Sequence, residues 1–189
     1  MTESSVSPTA ELKSEHQTIL RVIAVLQRLV ARAKGGGGFE SSALAQCVEF
    51  FRLFADACHH AKEEDLLFPA LEESGIPREG GPIGVMLYEH KLARGYTKEM
   101  GDALSAKQAG EEDAESRFCD SANQYIDLLT QHIYKEDNIL FNMGDRMLSK
   151  DDQASLCRRF CGVGCRAFDG KTREDLMRIA DSLEAQWPS

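Results

Sequence analysis

The sequence has no long apolar run, no basic cluster and almost no strand pattern. Each absence removes a class of function. No stretch reaches the ~18 apolar residues that a membrane span needs. The opening residues, MTESSVSPTA, carry neither a basic segment nor an apolar core, so no secretory leader is expected. Without a basic patch, and with a formal net charge of -9, nucleic acid and anionic membrane are not expected as partners. β-branched and aromatic residues do not alternate with polar ones over any useful length, so the sheet signal is missing. A CxxC pair is missing too. Six cysteines in a chain with no expected leader are therefore read as reduced thiols in the cytoplasm.

What the chain has is helical periodicity. Its 189 residues suit one domain with an appendage, and 42% hydrophobic content suffices for a core without staples. Ser7-Pro8 predicts the start of a first helix, with Leu12, Ile19, Ile23, Leu26 and Val30 at helical spacing. Four glycines at 35–38 end it. A second helix starts near Ser41, carries Leu44, Val48, Phe51, Phe54 and Cys58, and continues through Leu67 to a kink or end at Pro69. SGIPREGGP reads as a loop. A third helix runs from about Pro82 to Lys107, and a fourth from about Asp113 to Asp145. Beyond these, Ser149-Lys150 and the Thr172–Asp175 capping pattern predict two shorter helices, with CGVGC interrupting the first. The expected fold is all-α: an up-down-up-down four-helix bundle over residues 1–148, with residues 149–189 as a helical extension packed on it.

Two copies of one spacing stand out: His59 with Glu63 in HHAKEEDLLF, and His132 with Glu136 in QHIYKEDNIL. Residues four apart on a helix share a face. His16 and His90 sit alone on the first and third helices. About 18 residues, or ~27 Å, separate His16 from the end of its helix, and about 18 separate the next helix start from His59. The same count brings His90 level with His132. The second-to-third connection matches less well, with about 15 residues after His59 against about 8 before His90. One histidine per helix thus converges on one layer. A lone histidine on an apolar face is more often a hydrogen-bonded core residue than a ligand. Four at compatible heights, two with a glutamate one turn on, point to a metal site. Buried carboxylates need a counter-charge, and imidazole with carboxylate suits a pair of iron or manganese ions.

These residues resemble the hemerythrin-like, or HHE cation-binding, domain family. The resemblance covers roughly residues 8–145 and is most specific at HHAKEEDLLFP. It implies a four-helix bundle holding two iron ions as a non-haem di-iron centre, oxo- or hydroxo-bridged. His16, His59, His90 and His132 match the family's ligand histidines, and Glu63 and Glu136 its bridging carboxylates. The third helix offers one histidine, with Arg94 and Met86 four residues to either side. His60 is the candidate to fill the gap. One ion would then take His16 and His59, the other His60, His90 and His132. The bland reading of His60 is a pair with Glu64 at i+4. Glu89 is a further, weaker candidate ligand. Tyr88, Tyr125 and Tyr134 read as core or boundary residues, and Glu64 and Asp65 as a solvated helix face.

The implied function is binding of dioxygen or a related small molecule, nitric oxide or peroxide, at an open iron position on the ion with fewer histidines. The alternatives are a di-iron oxidoreductase or stress-response protein acting on nitric oxide or peroxide, and an iron or oxygen sensor or iron store. No Cys-bearing repair domain is expected ahead of the bundle, which weakens a repair role. Cys157, Cys161 and Cys165 recur every four residues. They are expected to be small buried apolar residues, on a helix that Gly162 and Gly164 break; a redox thiol is the sharper alternative.

Overall fold

The computed structural model describes residues 7–188; the opening residues, read above as carrying no leader, and the first residues of the expected bundle lie outside that span. Six helices carry the described residues. We label them α1 (Pro8–Lys34), α2 (residues 41–73), α3 (Pro82–Gln108), α4 (residues 114–147), α5 (Lys150–Gly164) and α6 (Arg173–Gln186). Among the described residues the only extended pairing is a single bridge between Phe168 and Lys171. No helix of the described chain is long and apolar enough to cross a membrane.

The sequence signals act where they are placed. Ser7 Oγ accepts from the Ala10 amide at 3.2 Å, and Pro8 fills the first turn of α1. Gly36 and Gly38 end that helix with φ of 78° and 102°, values that cost a side-chain-bearing residue strain. Ser149 and Thr172 each close a reciprocal capping box, with Asp152 and Asp175 in the glutamate's place. α3 and α4 form the most extensive pair, followed by α1 with α4. The core runs along the helix interior from Leu12, Ile19 and Leu26 through Phe50, Phe54 and Leu67 to Phe118, Leu129 and Phe141. α6 lies on α1 and α2. α5 meets α1 and the Glu63–Leu67 stretch of α2.

Two expectations change. α2 neither ends nor breaks at Pro69 but continues through Phe68–Glu73. It widens first: over Phe51–His60 and Glu63–Leu67 the amides reach back five residues, as Ala61 N–H to Asp56 O and Phe68 N–H to Glu63 O show. α4 does the same over Glu136–Leu140. Each widened turn carries a histidine or glutamate of the expected centre, a common placement for such bulges. α5, in turn, passes through Gly162 to Gly164 instead of breaking. Glycine in a helix interior costs only about 1 kcal/mol, and the capping box and core contacts of Leu156, Phe160 and Val163 offset it.

Candidate metal centre

The wide turn at Phe51–His60 sets the register of the donor layer. In a regular helix neighbouring residues diverge by about 100°. Here both His59 and His60 are buried, as are His16, His90, His132, Glu63 and Glu136. The rings come together: His16 and His59 centroids lie 4.6 Å apart, His60 and His90 3.8 Å, and His90 and His132 4.7 Å. Two sets of donor atoms each fall within 4.8 Å of one another. One is His16, His59, Glu63 and Glu136; the other is His60, Glu63, His90 and His132. Glu63 belongs to both. Glu136 also spans them, with Oε2 3.2 Å from Nε2 of His16 and 3.2 Å from Nε2 of His132.

A carboxylate stands behind every ring. Nδ1–H of His16 donates to Asp137 at 2.7 Å, of His59 to Glu15 at 3.0 Å, and of His60 to Asp56 at 3.3 Å. Nδ1–H of His90 donates to Glu64 at 2.7 Å and of His132 to Glu89 at 3.0 Å. A carboxylate only accepts, so it fixes the proton on Nδ1 and leaves Nε2 with its lone pair. The Nε2 atoms of His90 and His132 then face each other at 3.0 Å, a contact that needs a proton or a cation in it.

Electrostatics sharpen this. Burial, then the neighbouring Glu136, pushes Glu63 well above the usual carboxylate range. Burial would raise Glu136 as well, but His132 and His16 outweigh it and hold it well below. Burial lowers His59 to about 4 against the opposing pull of Glu15. It also holds His60 well below the usual imidazole range, helped by the other histidines. On His132 burial is overcome by Glu136 and Glu89, and its pKa rises to about 9. Burial would raise Glu15, yet His59 and Lys62 bring it down to about 2.

The layer fits a cation on one direct observation. Nε2 of His16 and of His59, and all four carboxylate oxygens of Glu63 and Glu136, are buried without a hydrogen-bond partner. Their mutual approaches of 3.2–3.5 Å lack hydrogen-bond alignment. Leaving one buried polar group unsatisfied costs about 1–3 kcal/mol, and six such atoms converge here. Divalent ions satisfy imidazole nitrogen and carboxylate oxygen together.

Several secondary readings need correction. Glu89 accepts from His132 and from Lys135. Glu64 is not a solvated face: it serves His90, while His60 turns back to Asp56 at i-4. Tyr88 and Tyr134 are 62% and 65% exposed, because they sit on the outer faces of α3 and α4; Tyr125 is core. Cys161 and Cys165 are exposed and Cys157 is half-buried, so their stripe lies on an outer face of α5; their Sγ atoms at 161 and 165 are 3.9 Å apart. Sequence reasoning missed Glu15, Asp56, Asp137 and Lys62. A signal was there: an acidic residue adjoins His16, Glu63, His90 and Glu136 in the chain, one step round the helix from each.

Comparison with known proteins agrees in kind. A family model described as the hemerythrin HHE cation binding domain matches residues 7–143. An uncharacterized protein of Mycobacterium tuberculosis is 24% identical over 139 residues, 74% of this chain and 54% of that protein, and one of Mycobacterium bovis matches equally. The chain thus spans about half the length of these relatives. The iron-sulfur cluster repair protein YtfE of Dickeya chrysanthemi is 34% identical over 86 residues, 44% of this chain and 38% of that protein. No solved structure matches.

Proposed function

We propose, for a chain that belongs to the hemerythrin HHE cation-binding family, that the buried donor layer holds two iron ions as a non-haem di-iron centre engaging dioxygen, nitric oxide or peroxide. The observation that carries this is the pair of donor sets joined by Glu63 and Glu136, whose oxygens have no other partner. His16 and His59 would serve one ion, and His60, His90 and His132 the other. Four long helices as an up-down-up-down bundle within residues 1–148, with residues 149–189 appended, is the arrangement this reading uses. When bound, such an ion pair supplies two redox-active Lewis-acidic centres at which a small diatomic or peroxide ligand binds or is reduced.

The chain's own residues set the conditions. Five carboxylates hold five imidazoles with Nε2 turned inward and raise their basicity. Phe141 stacks on His16 at 5.5 Å and Phe68 on His90 at 5.9 Å. Leu129 and Ile133 are buried alongside. This apolar cover shields the layer beside His16 and His90.

The likeness to a protein named for iron–sulfur cluster repair favours a second reading, a di-iron protein acting on nitric oxide or peroxide in stress. Metal analysis with an optical spectrum separates these. Two iron ions per chain and an absorption change that reverses on removing oxygen support binding. Turnover of nitric oxide or peroxide supports the second reading. A chain that takes up fewer than two ions from excess ferrous iron overturns the di-iron assignment.

A further inference from the structure

A cavity of about 290 Å³ opens between α2 and α3 and reaches the donor layer at His60. Its walls are apolar: Val48, Phe51, Ala93, Gly101 and the ring of Tyr125. Gly101 is a free space rather than a tight contact, since a Cβ there would meet no atom within 4 Å. Its cost within a helix is not offset by packing.

The lining also carries charge, most of it positive. Arg52, Arg94 and Lys98 line the cavity, against the single carboxylate of Asp56. Each of these cations has a carboxylate partner of its own. Arg52 pairs with Asp169 at 2.9 Å and Lys98 with Asp102 at 2.6 Å. These cations are 55% and 77% exposed. Pairs so exposed are weak, so an incoming carboxylate can take their place. Arg94 is held differently, at 2.7 Å from both Asp56 and Glu64, the acceptors behind His60 and His90.

We propose that this cavity is a binding site for a small organic acid: an apolar body lies against Phe51, Tyr125 and Gly101, and its carboxylate meets Lys98 and Arg52. Binding of the acid stands on the cavity alone. Its placement beside a metal ion rests on the function proposed above. Arg94, tied to both acceptors, lines the cavity beside His60.

The test uses 3-phenylpropionate and its neutral analogue 3-phenylpropanamide with the full chain, metal-free and iron-loaded, by isothermal titration calorimetry. The acid is expected to bind both forms, roughly fivefold more tightly than the amide, the factor for about 1 kcal/mol. Lys98→Gln combined with Arg52→Gln, both exposed changes, should remove that preference. Gly101→Leu should abolish binding of both compounds while iron content stays at its original value. In the metal-free chain the acid should also slow carbethoxylation of His60, read by peptide mass. Equal affinity for acid and amide overturns the anionic class. No binding of either, or full binding to a folded Gly101→Leu chain, overturns the site. Binding that leaves His60 unprotected overturns its placement at the donor layer. Binding of the acid by a chain that takes up no iron upholds the cavity while the di-iron reading falls.

Discussion

The two donor sets share carboxylates but stand in different surroundings. On the His16–His59 side, His59 is backed by buried charge, while Asp137 behind His16 is partly in solvent. Glu15 holds His59 and is held by Lys62 at 2.7 Å; both Glu15 and Lys62 are 1% exposed. Lys62 also reaches Glu11 at 2.6 Å and lies under the Phe160 ring at 5.6 Å. The His60–His90–His132 side is backed by Asp56, Glu64 and Glu89, each partly in solvent and tied to Arg94 or Lys135. Breaking a buried pair costs about 3–5 kcal/mol, whereas an exposed one is worth about 0–1. One half of the layer is therefore set rigidly from within, and the other is adjustable from outside. The cavity lies on the adjustable side, at His60. The sequence had placed the open position on the other ion, the one with fewer histidines.

The strongest way to break the comparison removes what the halves share. Glu63→Gln keeps the shape and deletes the bridging charge, so both ions should be lost, with affinity falling more than about 100-fold. Metal content after gel filtration checks it, and a chain still holding two ions would remove Glu63 from the centre. His60→Ala and His59→Ala then separate the halves. Each should leave one ion per chain. Two ions and an unchanged spectrum in His60→Ala would mean that His60 is only a buried neighbour.

The helix plan and the donor layer were legible because both follow from spacing. His16, His59, His90 and His132 lie at matching heights on long helices, and such heights survive small errors at helix ends. The Ser7, Ser149 and Thr172 caps were legible for the same local reason. What the sequence hid was set by longer-range balance. The wide turns at Phe51–His60, Glu63–Leu67 and Glu136–Leu140 have no composition of their own; they arise where packing re-aims a buried side chain. They let His59 and His60 both turn inward, which the regular 100° step argues against. Glu15 looks like any surface glutamate in α1 until Lys62 and Arg173 arrive from elsewhere in the chain to meet it. The cysteines of α5 were misread because spacing every four residues defines a face without saying which way it points.

The rigid half offers the next largest effect. Glu15→Gln keeps an oxygen for His59 but leaves Lys62 with only Glu11. We expect a loss of about 3 kcal/mol from the metal-free protein, the lower end for a broken buried pair because Glu11 remains. Glu64→Gln, on the adjustable half, should cost about 1 kcal/mol or less. Urea unfolding of the two variants side by side measures the contrast. Equal losses would show that the two sides are supported alike.

The smallest effect tests whether the C-terminal helices act on one half alone. Arg173 of α6 approaches Glu15 at 3.4 Å through both Nε and a terminal nitrogen, and is itself about one-third exposed. Arg173→Ala removes a long, solvent-touched contact, so stability should fall by less than about 1 kcal/mol. Its effect on metal should nonetheless be selective. Glu15 keeps Lys62, and His59 keeps Glu15, so affinity at the His16–His59 set should fall a few-fold. Asp56, Glu64 and Glu89 have their own partners, so the other set should not change. A two-step metal titration resolves the sets, and a loss shared equally by both steps would mean that the layer responds as one body. Deleting residues 149–189 is a poorer probe, because it uncovers the core faces served by Phe160, Leu176 and Leu183 and confounds the electrostatic effect with lost burial.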